Sequence, residues 1–174
     1  MWRQRYELIN FEQDGDVLIV RFARDQHLNA IDARLHTEMS WLFRDVTEHS
    51  QCRVVVLTGK GKAFCAGGDI DWFSDMKDGD LDRLVVEARR IIVDMLEVPQ
   101  PIITAVNGPA VGLGATLALF GDIIYMGRSG VIADTHVLAG IAAGDGGGVI
   151  WPRLARHARA QEILFTRPKG HAPP

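Results

Sequence analysis

The chain reads as an α/β fold with a mainly parallel sheet. Three observations predict it. Short apolar, β-branched runs alternate with amphipathic helical stretches; Arg53–Leu57 and Ile102–Val106 are apolar enough to be covered on both faces; and a glycine-containing loop follows each of these runs. Parallel neighbours need a crossover of helix length, and the intervening stretches supply it. At 174 residues the chain suits one domain, and no internal repeat or low-complexity tract interrupts it.

The elements follow in order. Val17–Phe22 reads as a strand after the turn Asp14-Gly15-Asp16. Ile31, Leu35, Met39, Leu42, Phe43 and Val46 recur at three- and four-residue intervals and predict a helix from Asp32 to Glu48. After the strand Arg53–Leu57, Asp69 is placed to cap a short helix reaching Met76. A second helix from Leu81 to Leu96 carries the stripe Leu84, Val85, Ala88, Ile91, Ile92 and Met95, and Pro99 and Pro101 stop it. Ile102–Val106 is the next strand. The loop after it opens a helix through Leu119, and Ile123–Tyr125 is a further buried strand.

Composition narrows the function classes. Hydrophobic residues make up 47% and charged residues 24%, as in a soluble globular chain, and the apolar stretch Ala110–Met126 is broken by Gly121-Asp122, so a membrane span is not expected. The first residues lack a signal-peptide core, which makes a cytoplasmic location the expectation. Cys52 and Cys65 are too few for a disulfide framework or a metal site, so no metal is expected. The net charge is -3, with basic residues scattered among acidic ones, and gives no nucleic-acid footprint. Gly112-Leu113-Gly114 lacks the third glycine of a dinucleotide fingerprint, which argues against nicotinamide cofactors.

Chemistry is concentrated in two loops, Ala63-Phe64-Cys65-Ala66-Gly67-Gly68-Asp69 and Asn107-Gly108-Pro109-Ala110-Val111-Gly112-Leu113-Gly114. Each can aim backbone N–H groups at one point. Donors fixed in advance stabilise an oxygen that becomes negative during reaction, so enolate or acyl chemistry is indicated.

From Tyr6 to Phe165 the chain resembles the crotonase, or enoyl-CoA hydratase/isomerase, superfamily. Leu28-Asn29-Ala30, Val54–Gly59, Phe64–Asp69, Pro101–Gly108 and Gly121–Tyr125 carry the resemblance by their order and spacing. It implies a crotonase (ClpP-like) fold of repeated ββα units over residues 1–165. The C-terminal helical part is expected to be missing, with 166–174 a disordered or aberrant tail. It also implies an acyl-CoA-processing enzyme, with a coenzyme A thioester as substrate and no separate cofactor, and a homotrimer or hexamer for a complete chain. Ala66 and Leu113 match the two oxyanion-hole donors. Lys62, Ala63, Gly67, Gly68, Asp69, Gly112, Gly114 and Thr116 fall at substrate-binding positions. Lys60 and Lys62 stand where they meet coenzyme A phosphates, or serve as solvated turn residues.

The departures are informative. Thr116 and His136 occupy the two positions at which hydratases of the superfamily carry glutamates. Threonine is no base near neutral pH, whereas histidine, with an ordinary pKa of about 6.5, is one. His136 and Asp145, nine residues apart, resemble a proton-transfer dyad of superfamily members that cleave carbon–carbon bonds. Each also has a structural reading: His136 as a hydrogen-bonded structural histidine, Asp145 as an N-cap. Asp134 reads as a cap or turn residue. Three functions remain open on these residues: hydration or isomerisation of an acyl-CoA, carbon–carbon or thioester hydrolysis, and silent binding of a coenzyme A ester.

Overall fold

The computed structural model describes residues 2–49, 51–77 and 79–166. A five-stranded sheet runs in the order β1-β2-β3-β4-β6, formed by Ile9–Asp14, Val17–Phe22, Val54–Gly59, Ile102–Val106 and Ile123–Met126. β1 and β2 are an antiparallel hairpin turned by Gly15, whose φ of 54° suits glycine, and every later pairing is parallel. A small second sheet pairs β5 (Pro109–Val111) with β7 (Val131–Ala133), and Cys65 joins it through a bridge to Ala110. The helices are α1 (Ala33–His49), α2 (Ile70–Ser74), α3 (Asp80–Leu96), α4 (Leu113–Phe120), α5 (Gly147–Ala155) and α6 (His157–Phe165). The expected α/β fold with repeated β-β-helix units is therefore present. The tail expected from 166 onward lies, beyond Thr166, outside the described residues.

Phe22, Phe43, Phe64, Leu18, Leu35, Leu57, Ile91 and Leu117 are fully buried and place the core between the sheet, α1, α3 and α4. Burying such a side chain is worth about 1.5–3 kcal/mol each, which makes this layer the main stabilising unit. Two expectations need correction. Val85 is exposed, so the buried stripe of α3 begins only at Ala88. β6 is exposed along its whole length, because it is the edge strand and no described element covers it. β1, β5 and β7 are additional strands that hydrophobic pattern does not reveal.

Candidate active site

The first loop is pinned by backbone contacts on two sides. Phe64 and Cys65 N–H donate to the Pro109 carbonyl at 3.0 and 3.1 Å, and the Val111 N–H returns to the Cys65 carbonyl at 2.9 Å. On the other side, Ile31 N–H donates to the Gly67 carbonyl at 2.7 Å and Asp69 N–H to the Ile31 carbonyl at 2.9 Å. Leu28 and Asn29 adopt positive φ angles of 53° and 55°, and the buried Asn29 amide donates to the Lys60 and Ala63 carbonyls, each at 2.9 Å. Asn107 reaches the Gly61 and Ala63 carbonyls from the second loop. The buried Asn29 and the half-buried Asn107 thus tie the loops to each other and to the chain after β2.

Glycines set how closely the loops approach. A Cβ at Gly114 would lie 2.4 Å from the Cys65 carbonyl oxygen, and one at Gly67 would lie 2.9 Å from that of Val111. Gly112 combines φ 54° with ψ -123°, a conformation essentially reserved for glycine. Its N–H donates to the Ala133 carbonyl at 3.0 Å, and a Cβ there would sit 3.6 Å from His136 Cε1 and 3.9 Å from the Gly67 Cα. Both loops and His136 therefore meet at one place.

The donor assignment in the first loop changes. Ala66 N–H is already used, donating to the Leu28 carbonyl at 3.1 Å. Gly67 N–H faces the Cys65 thiol, whose pKa burial pushes up to about 12. Gly68 is exposed, and its N–H has no acceptor among the described residues, so it replaces Ala66 as the free donor. The N–H of Leu113, at the first position of α4, likewise has no acceptor among the described residues, as is usual at helix starts. A methyl at Gly68 would overlap the Phe73 ring, 2.0 Å from its Cε2, so this ring stands beside the first donor.

Three other expected substrate contacts have structural duties. The Ala63 side chain is fully buried, with its carbonyl taken by the two asparagines. Asp69 caps α2, accepting from the Asp71 N–H at 3.1 Å, and pairs with Arg24 at 2.8 Å. Burial works to raise the Asp69 pKa, but Arg24 outweighs it and holds the carboxyl below its ordinary range. Thr116 is fully buried and donates its hydroxyl to Asp145 Oδ1 at 3.3 Å. Lys62 is exposed beside the loop, while Lys60 pairs with Asp25 at 3.3 Å.

His136 and Asp145 are brought together. His136 Nε2 lies 3.1 Å from Asp145 Oδ2, a charge contact off the hydrogen-bond line. Asp145 Oδ1 accepts from the Gly147 N–H at 3.2 Å as well as from Thr116, but the N-cap of α5 is Gly146, so the capping expectation is corrected: Asp145 supports the turn one residue before the cap. Asp134, which reads as a turn residue in the sequence, takes His136 Nδ1 at 2.9 Å and the His136 N–H at 3.1 Å. Burial opposes charge on His136, but the two carboxylates outweigh it and push its pKa up to about 10. With both ring nitrogens facing carboxylates, the charged imidazolium is the form of His136 that this site favours.

A family model described as enoyl-CoA hydratase/isomerase matches residues 12–172. The chain belongs to this family. It is 32% identical over 163 residues to the 1,2-epoxyphenylacetyl-CoA isomerase of Escherichia coli K12, covering 91% of this chain and 62% of that protein. A short-chain-enoyl-CoA hydratase of Clostridium acetobutylicum is 30% identical over 156 residues, covering 89% of this chain and 60% of its own length. Among solved structures, an enoyl-CoA hydratase/isomerase from Mycobacterium paratuberculosis superposes with a TM-score of 0.87 at 35% identity, covering 91% of this chain and 65% of that one. The enoyl-CoA hydratase of Bacillus anthracis gives 0.85 at 31%, covering 92% of this chain and 63% of that one. This chain thus spans less than two thirds of the length of these relatives, and their crotonase fold is the one described above.

Proposed function

We propose that this chain forms the thioester-activating core of an acyl-CoA isomerase of the hydratase/isomerase type. The observation that carries the reading is the meeting of two loops with free Gly68 and Leu113 N–H groups beside a histidine–carboxylate pair. In this reading the thioester carbonyl oxygen sits on the two N–H groups. Asp145 takes a proton from the α-carbon: the C–H bond breaks, an O–H bond forms on the carboxyl, and the electron pair moves onto the thioester oxygen. The carboxyl proton exchanges with solvent and a proton is delivered from Asp145 to another carbon of the conjugated enolate, which shifts the double bond and restores the carboxylate. His136 keeps its charge and steadies the carboxylate throughout.

One observation favours isomerisation over hydration. Holding a water between two acids needs a second carboxylate within reach of the first, and the position beside Asp145 holds Thr116, whose hydroxyl donates to it. The Escherichia coli relative named as a coenzyme A ester isomerase supports the same class. A second reading, carbon–carbon or thioester hydrolysis, draws on the charged His136, an acid ready to protonate a departing enolate.

The test is incubation of the purified chain with enoyl-, 3-oxoacyl- and cyclic acyl-CoA esters in deuterated water, followed by mass spectrometry. Isomerisation gives an unchanged carbon skeleton with deuterium at the α- or γ-carbon. Gain of water without release of coenzyme A establishes hydration instead, and release of coenzyme A or chain cleavage moves the assignment to hydrolysis. If no ester changes while calorimetry still detects binding of one, the silent-binder reading gains. We further propose trimeric or hexameric assembly for a complete chain, a reading with which the exposed apolar side chains of β6 agree.

A further inference from the structure

We infer that Asp134 is a positioning residue: from behind His136 it fixes the orientation of the imidazole and keeps both ring nitrogens protonated, so that Asp145 alone is left to accept a proton. The inference rests on the reading of His136 and Asp145 as the proton-transfer pair, and nothing in the family comparison assigns Asp134 a role.

The geometry carries it. Asp134 follows β7, whose Ala133 carbonyl accepts the Gly112 N–H and whose Ala133 pairs with Val111, so its backbone is tied to the second loop. Its side chain is 1% exposed. Oδ1 receives both His136 N–H and Nδ1, and Oδ2 is buried with no hydrogen-bond partner among the described residues. A carboxylate so removed from water is tolerated when a cation faces it, and His136 is the cation in contact. Asp134 therefore demands a proton on Nδ1, while Asp145 Oδ2, 3.1 Å away, demands one on Nε2.

Among the described residues, Asp134 and Asp145 are the charged groups in ion-pair contact with His136. α4 presents the neutral Thr116 and the Gly112 backbone. α6, which packs on the turn carrying His136, bears His157, Arg159 and Glu162, and the last two pair with each other at 2.5 Å. Since the Asp134 side chain is buried and its hydrogen bonds go to His136, its effect passes through His136.

Asp134→Asn separates charge from shape, because the amide oxygen still accepts from both His136 donors. The measurement is the nitrogen and carbon NMR of histidine-labelled chain between pH 5 and 10, with His136 assigned through His136→Gln. In the parent chain the ring stays doubly protonated at pH 8, and in Asp134→Asn its titration midpoint falls by at least one pH unit, a tenfold loss of proton affinity. A parent His136 that titrates near the ordinary imidazole midpoint overturns the inference, and so do superimposable curves for the two chains. This readout needs no turnover: a locked His136 in a chain that converts no acyl-CoA sinks the isomerase reading and leaves Asp134 assigned. Where turnover is found, Asp134→Asn lowers kcat about tenfold or more at neutral pH with KM unchanged; an unchanged kcat overturns the positioning role.

Discussion

Asp145 and His136 divide the work of one pair, and the division makes distinct predictions. Asp145→Asn keeps an acceptor for the Thr116 hydroxyl and the Gly147 N–H but cannot take a proton. Turnover of any converted acyl-CoA is expected to drop by about 10²–10⁴-fold, the usual worth of a positioned general base, with ligand binding by calorimetry little changed. An equal loss of binding and turnover would mean that Asp145 holds the loop and does no chemistry. His136 also links folding to pH. Its folded-state pKa is raised from about 6.5 to about 10, so its contribution to stability is complete below about pH 6.5 and is lost as pH rises toward 10. Urea midpoints measured from pH 6 to 10 should fall through that window, and His136→Gln should flatten the fall. A parent chain whose stability is level across the window would show that the imidazolium is not held.

At the scale of elements, close approach of the two loops depends on absent Cβ atoms. Gly114→Ala would place a methyl against the Cys65 carbonyl, a backbone atom that cannot rotate away. The expected cost is about 1–3 kcal/mol in chemical denaturation, as for other overpacked sites. Gly144→Ala is the matched control, since its nearest contact would be 3.9 Å and its φ is not positive; it should stay within about 0.5 kcal/mol of the parent. Equal effects at the two positions would show that the loop contact is not what Gly114 protects. The same contact explains what the sequence could reveal. β2, β3 and β4, α1 and α3 announce themselves because burial on one or two faces leaves a period in the residues. β5 and β7 are three residues each and leave none. Both loops were legible as donors, but the choice between Ala66 and Gly68 depends on the Leu28 carbonyl, which reaches the loop only through the left-handed backbone at Leu28 and Asn29. Asp134 was hidden for a similar reason: two residues from His136, it has the spacing of an ordinary turn aspartate, and only its burial shows that the partner is an imidazolium.

For the whole molecule, the unbalanced feature is the outer edge of the main sheet. β6 exposes Ile123, Ile124, Tyr125 and Met126 together, and Val131 on β7 is exposed as well. An edge strand offers unpaired backbone groups, and an apolar one is a surface that proteins ordinarily cover or charge. The purified chain should therefore self-associate, with its mean mass in sedimentation velocity rising across a micromolar concentration series. Tyr125→Lys should shift the distribution toward the monomer, because Tyr125 is 66% exposed and the substitution removes no core contact while adding a charge to the edge. The same variant should leave the His136 titration untouched, since β6 belongs to the main sheet and the histidine is held by the segment after β7 and the turn before α5. A monomer at every concentration would show that this edge is tolerated in water. A loss of the His136 lock in Tyr125→Lys would instead couple the edge to the site, making self-association a condition for the geometry that Asp134 and Asp145 impose.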